Sequence, residues 1–197
     1  MLPDRGEIVF DGAHVEAMDK TALTAHHRRV GIMFQAGALF DSMTVAENVA
    51  YGPSNLEHDT MSSDALKSRV AWALAAVGMP EAGDLKPEEL SGGMRKRVSI
   101  ARTIALKPEM ILYDEPTTGL DPITGGRIGK VIVQLRKQLK VTSVIVTHDL
   151  DVAYRISDRL ALVATFPQLE YPRSAPPPNT HVVGPLLWEP AFGEVDL

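Results

Sequence analysis

The chain has 197 residues and a mass of 21.4 kDa, enough for one domain with a sizeable core and short of two. Apolar residues make up 45% and charged residues 23%, ordinary globular usage that argues against wholesale disorder. A net charge of −5 excludes a chain-wide basic footprint for nucleic acid, and the lack of cysteine excludes disulfides, thiolate metal sites and thiol nucleophiles. No apolar run approaches the length of a membrane helix, and Met1 to Gly6 carries no signal-peptide segment, so any membrane role is expected to come through a partner.

Along the chain, Gly6–Phe10 reads as a strand closed by the Asp11-Gly12 turn, and Thr21–Arg28 as a short polar helix. Val30–Phe34 is a buried-strand pattern that stops at Gln35. Val45–Tyr51 reads as a helix ended by Gly52-Pro53, Asn55–Ser63 as a polar loop, and Ala65–Val77 as a helix closed by Gly78 and Pro80. Ser91-Gly92-Gly93 opens a helix from Met94 to about Leu106. Strand, helix, strand, helix, strand then follow: Met110–Tyr113, Ile128–Leu139, Val144–Val146, a helix from Asp151 to Ile156, and Leu160–Ala164. Fully apolar strands in this alternation predict a parallel sheet covered on both faces. Residues 166–197 hold seven of the 14 prolines and read as an extended or disordered tail with no catalytic assignment.

Three apolar strands each stop at polar residues: Gln35, Asp114-Glu115 and His148. Ligands of an open parallel sheet bind outside the carboxyl ends of its strands, so neighbouring strands would bring these residues to one crevice. Of the adjacent carboxylates, Asp114 can face Mg²⁺ or its water shell while Glu115 orients or deprotonates an attacking water. His148 would contact a terminal phosphate, and Gln35 the metal–water network. Taken singly, each is also an ordinary polar residue after a strand. Ser91, Gly92 and Gly93 leave backbone N–H groups open to an anion at a helix start, against a plain helix cap as the bland reading. Arg95-Lys96-Arg97 then puts positive charge where the helix dipole disfavours it, a local rule broken either for function or as a solvated basic face.

Gln35, Leu90-Ser91-Gly92-Gly93, Tyr113-Asp114-Glu115-Pro116, Thr118-Gly119-Leu120-Asp121 and Thr147-His148-Asp149 resemble, in order, the Q-loop, signature, Walker B with catalytic glutamate, D-loop and switch histidine of the ABC transporter ATPases. The resemblance covers roughly residues 3–164. Met94 after the signature glycines, with Phe34-Gln35-Ala36-Gly37-Ala38-Leu39-Phe40, is similar to the Mla/Mce-type lipid-transport ATPases in particular. It implies an α/β, P-loop NTPase-like (RecA-like) fold with a helical subdomain at about 41–106, in a partial ATPase domain over 1–165. It implies ATP and Mg²⁺ as cofactors, with Asp114 and Gln35 toward the metal and Glu115, His148 and Gln35 in catalysis. Ser91, Gly92, Gly93 and Asp121 would act on ATP held by the opposite subunit of a homodimer. A membrane permease would dock near Gln35–Tyr51, at the cytoplasmic face of the inner or plasma membrane, making Leu39, Phe40 and Val45 candidate contacts, with ordinary core as their bland reading.

The phosphate-cradling Gly-x-x-x-x-Gly-Lys-Ser/Thr loop is absent from the sequence. Gly125-Gly126-Arg127-Ile128-Gly129-Lys130 is one residue short between glycines and follows the D-loop rather than a strand. The resemblance therefore implies that the first strand, phosphate loop and helix are missing, that apolar sheet surface is left bare, and that ATP is bound and hydrolysed poorly. Two further readings stand beside lipid transport: a family ATPase acting on ribosomes or DNA, which the short Gln35–Ser91 interval disfavours, and an inactive remnant.

Overall fold

A computed structural model describes residues 6–57, 61–163 and 180–183 of the chain. A hairpin of β1 (Val9–Phe10) and β2 (Ala13–His14) precedes α1 (Lys20–Arg29), which Asp19 caps through a 2.7 Å bond from the Ala22 N–H. The central sheet is parallel: β3 (Val30–Met33), β4 (Met110–Asp114) and β5 (Thr142–Val146), in that spatial order. Met33 lies opposite Tyr113, and Tyr113 opposite Ile145. Between β3 and β4 run α2 (Val45–Leu56), α3 (Ser63–Ala76) and α4 (Gly92–Ile104). Then come α5 (Pro122–Leu139), α6 (Leu150–Ile156) and β6 (Leu160–Val163). Within the proline-rich segment, β7 (Thr180–Val183) pairs parallel with β6. The reading of the rest of that tail lies outside the described residues.

One face of the sheet carries the core. Met33, Ile111 and Tyr113 are buried with Val98, Ile100 and Ile104 of α4 and Ile128, Ile132 and Leu135 of α5. Helix α4 can lie this close because Gly31 has no side chain; a Cβ there would sit 2.6 Å from Thr103 Cγ2. Alternation puts the other residues of the strands on the opposite face, where Ile32, Phe34, Val144 and Val146 are exposed. Val146 is 61% accessible. The apolar composition of the strands therefore reports a sheet with a bare face among the described residues.

Two helices run further than their punctuation predicts. Helix α2 does not stop at Gly52-Pro53. Gly52 lets Leu106 pack against the backbone, with contacts of 3.2 Å to a Cβ placed there, and Ser54 and Asn55 donate to the carbonyls of Ala50 and Tyr51 at 2.7 and 2.6 Å. Packing and side-chain donors thus outweigh the breaker pair. Helix α5 starts at Pro122 rather than Ile128, because Asp121 accepts from the N–H groups of Ile123 and Thr124, both at 3.0 Å, and proline suits the first helical position. Its Gly125 and Gly129 face Thr117 and Ile156 at contact distance.

Candidate functional site

The parallel order of β3, β4 and β5 carries their carboxyl ends to one edge, where Gln35, Asp114-Glu115 and Thr147-His148 emerge. The Glu115 N–H donates to the Val146 carbonyl at 2.9 Å, extending the β4–β5 ladder one residue. Glu115 then turns with φ of +45°, a left-handed conformation that is strained for a non-glycine residue. The turn aims its carboxylate across to β5. Oε1 accepts from the His148 backbone N–H at 3.0 Å and lies 2.8 Å from His148 Nδ1. Oε2 accepts from Thr118 Oγ1 at 2.8 Å and Thr147 Oγ1 at 3.3 Å. Burial pushes the Glu115 carboxyl up, but the bonds from His148 and Thr118 outweigh it and hold it below the usual carboxylate range. Glu115 is accordingly ionised at neutral pH and fixed in direction, while the His148 ring, 75% accessible, is open to a ligand.

Asp114 is exposed and its carboxylate accepts no hydrogen bond among the described residues, and Gln35, two residues past the end of β3, is exposed as well. Glu115 is engaged by His148, Thr118 and Thr147, whereas the Asp114 carboxylate takes no such bond among the described residues and is the one open to a cation. No group of three or more His, Cys, Asp or Glu residues suited to a metal occurs among the described residues. A Mg²⁺ site completed by phosphate oxygens needs only one or two carboxylates, and Asp114 with Gln35 fits that demand.

Ser91 caps α4, its hydroxyl accepting from the Met94 N–H at 3.3 Å, and Ser91 and Gly92 are exposed. Gly93 meets α5: a Cβ there would lie 2.6 Å from Thr124 Cγ2. The second glycine thus has a packing reason as well as an open N–H. Asp121 is exposed and caps α5, its carboxyl held low by the bonds from Thr124 and Ile123. The glycine-rich Gly125–Lys130 stretch lies inside α5 and forms no loop. Asn48, fully buried, pins the segment after Gln35. Its Oδ1 accepts from the Phe40 N–H at 2.8 Å, and its Nδ2 donates to the carbonyls of Phe40, Met43 and Thr44. Of the candidate partner contacts, Leu39 and Phe40 are partly accessible, but Val45 is fully buried in the core and cannot touch a partner.

Residues 1–118 match the family model described as ABC transporter. The chain belongs to the ABC transporter family. Its ATP-binding subunits supply the relatives. The "Intermembrane phospholipid transport system ATP-binding protein MlaF" of Escherichia coli K12 is 45% identical over 164 residues, covering 83% of this chain and 60% of that protein. MlaF of Haemophilus influenzae is 40% identical over the same length, covering 83% and 61%. The "Methionine import ATP-binding protein MetN 1" of Pseudomonas savastanoi pv. phaseolicola is 40% identical over 161 residues, covering 82% and 48%. The chain thus spans about 60% of the length of the MlaF relatives it matches. Among solved structures, the dimeric post-hydrolysis ATP-binding cassette MJ0796, bound to ADP and Pi, superposes with a TM-score of 0.68 at 34% identity, covering 78% of this chain and 67% of that one. Another is cbiO1 from Clostridium perfringens, part of the ABC transporter complex cbiONQ, with a TM-score of 0.72 at 32% identity, covering 80% and 62%. The fold is therefore that of an ABC ATPase cassette.

The motif residues of this ABC protein do not meet alone. Thr118 and Thr147 clamp the Glu115 carboxylate. Both lie inside sequence motifs, but no spacing rule says that their hydroxyls converge on Glu115. Gln35 reaches the Glu115 region through a fourth residue, Lys96, whose ammonium donates to the main-chain carbonyls of both.

Proposed function

We propose that this chain serves as the ATPase subunit of an ABC transporter that moves lipid, a phospholipid in particular, with ATP binding and hydrolysis impaired in these 197 residues by the lack of a phosphate-cradling loop. The observation that carries the reading is the ionised Glu115 carboxylate, locked by His148, Thr118 and Thr147 at the edge where Asp114 and Gln35 stand. The MlaF relatives support the lipid cargo at up to 45% identity, against 40% for the methionine importer MetN.

In this reading Glu115 orients the attacking water and takes its proton toward Oε1 or Oε2. His148, bonded to Glu115 through Nδ1, leaves its other ring nitrogen for the terminal phosphate. Asp114 and Gln35 would hold Mg²⁺, which when bound would neutralise charge developing on the phosphate. The exposed Ser91-Gly92 corner offers its N–H groups, backed by the helix dipole, to ATP held by a second copy, and Asp121 lies at the seam. Closure of the pair on ATP and its reopening after hydrolysis is the motion a permease would read near Leu39 and Phe40. No helix among the described residues is long and apolar enough to cross a membrane, in keeping with a peripheral subunit on the cytoplasmic face.

The 197 residues contain no phosphate-cradling loop with its lysine. Phosphoryl transfer depends on positioning and charge stabilisation, so the chain by itself binds Mg-ATP weakly and turns it over negligibly. Isothermal titration with Mg-ATP tests this, and micromolar affinity would overturn it. Co-purification from detergent-solubilised membranes tests the rest. A lipid-transport permease supports the reading, a methionine permease redirects the cargo, and ribosomes or DNA refute transport.

A further inference from the structure

The basic run after the signature glycines divides by direction. Arg95 is exposed and donates to the Pro87 carbonyl at 3.2 Å, whereas Lys96 turns inward and is 7% accessible. Its ammonium donates to the Gln35 carbonyl and, at 3.0 Å, to the Glu115 carbonyl. These two carbonyls lie just beyond the ends of adjacent parallel strands. A buried ammonium is costly unless oxygens and opposite charge surround it. Burial lowers the Lys96 pKa, and the negative charges of Glu115 and Asp114 oppose that shift. Lys96 is thus neither a solvated basic residue nor an ion-pair partner at the surface; two of its three donors go to backbone carbonyls.

The backbone it grips is the strained one. Glu115 holds φ of +45° immediately before Pro116, and such a conformation persists only when its surroundings over-determine it. The Glu115 carbonyl accepts one other bond, from the Thr118 N–H at 3.3 Å.

We propose that Lys96 is a positioning residue. It fixes the left-handed turn at Glu115 and couples that turn to Gln35, so that the carboxylate meets His148. The catalytic meaning rests on Glu115 acting as the base; the positioning itself does not. Because Lys96 stands on the helix that begins at Ser91, displacement of the start of α4 is delivered to both carbonyls by one side chain.

The test needs no nucleotide, so its outcome is separate from that of the ATPase reading. Amide hydrogen exchange is followed in the full chain, wild type and Lys96→Met, at His148, whose N–H donates to Glu115 Oε1, and at Leu112 in the central strand. Lys96→Met is expected to speed exchange at His148 about tenfold while Leu112 is unchanged. The ¹³C carbonyl resonances of Gln35 and Glu115 are expected to move together. Exchange at His148 that stays at the wild-type rate, or that rises only in step with Leu112, overturns the proposal. If Lys96→Met does not fold, Lys96→Gln, which keeps a shorter neutral donor, is judged on the same two amides.

Discussion

Replacing Asn48 by alanine removes a side chain that is fully buried and fully hydrogen-bonded. Not every lost bond leaves an orphan. The Phe40 carbonyl still accepts from the Met43 N–H, and the Thr44 carbonyl from the Asn48 backbone N–H, which alanine retains. The groups stranded are the Phe40 N–H and the Met43 carbonyl, 2.8 and 3.2 Å from Asn48 in the native protein. A buried unmet donor costs about 1–3 kcal/mol and the stranded carbonyl about 1 kcal/mol more, so the expected loss is about 2–4 kcal/mol. That is a large fraction of a typical domain's stability of about 5–15 kcal/mol. Urea unfolding followed by circular dichroism should show a lower midpoint with an unchanged slope. A loss under about 1 kcal/mol at unchanged slope would mean that the Ala36–Met43 segment re-pairs without Asn48, and the argument would be wrong.

Acidification should act on the Glu115 cluster in a defined direction. Its folded-state pKa lies below the unfolded value, so its contribution is present above about pH 4.3 and fades as the pH falls through the lower folded value. The stability gap between wild type and Glu115→Gln is therefore expected to be widest near neutral pH and to close below about pH 4; a gap that widens in acid counts against the assigned hydrogen bonds. Gly126→Ala, in the interior of α5 with open space around the new Cβ, should raise stability by about 0.5–1 kcal/mol in thermal melts. Gly93→Ala, by contrast, drives a Cβ to 2.6 Å from Thr124 and should lower it by about 1–3 kcal/mol.

The local events of this fold were legible because their causes are local. The strand ends at Gln35, Asp114 and His148 and the cap at Ser91 each follow from a few adjacent residues, and ordered motifs along the chain located the family. Helix ends were read less well where tertiary contacts intervened. Leu106 on Gly52 carried α2 through a breaker pair, and the Asp121 cap drew α5 back to Pro122. The resemblance assigns a permease only a region, Gln35–Tyr51, and packing alone decides that Val45 within it belongs to the core.

Residue order alone determined that apolar strands would alternate with helices and deliver polar residues at their carboxyl ends, since that depends on short-range patterning. Which of those residues touch was decided only by packing. The left-handed turn at Glu115, the threonine clamp, and the inward path of Lys96 between two strand ends join groups up to 80 positions apart in the chain, from Gln35 to Glu115. Such contacts arise only when the sheet has assembled and α4 has closed over it, because a buried ammonium is tolerable only after both carbonyls are in place to receive it.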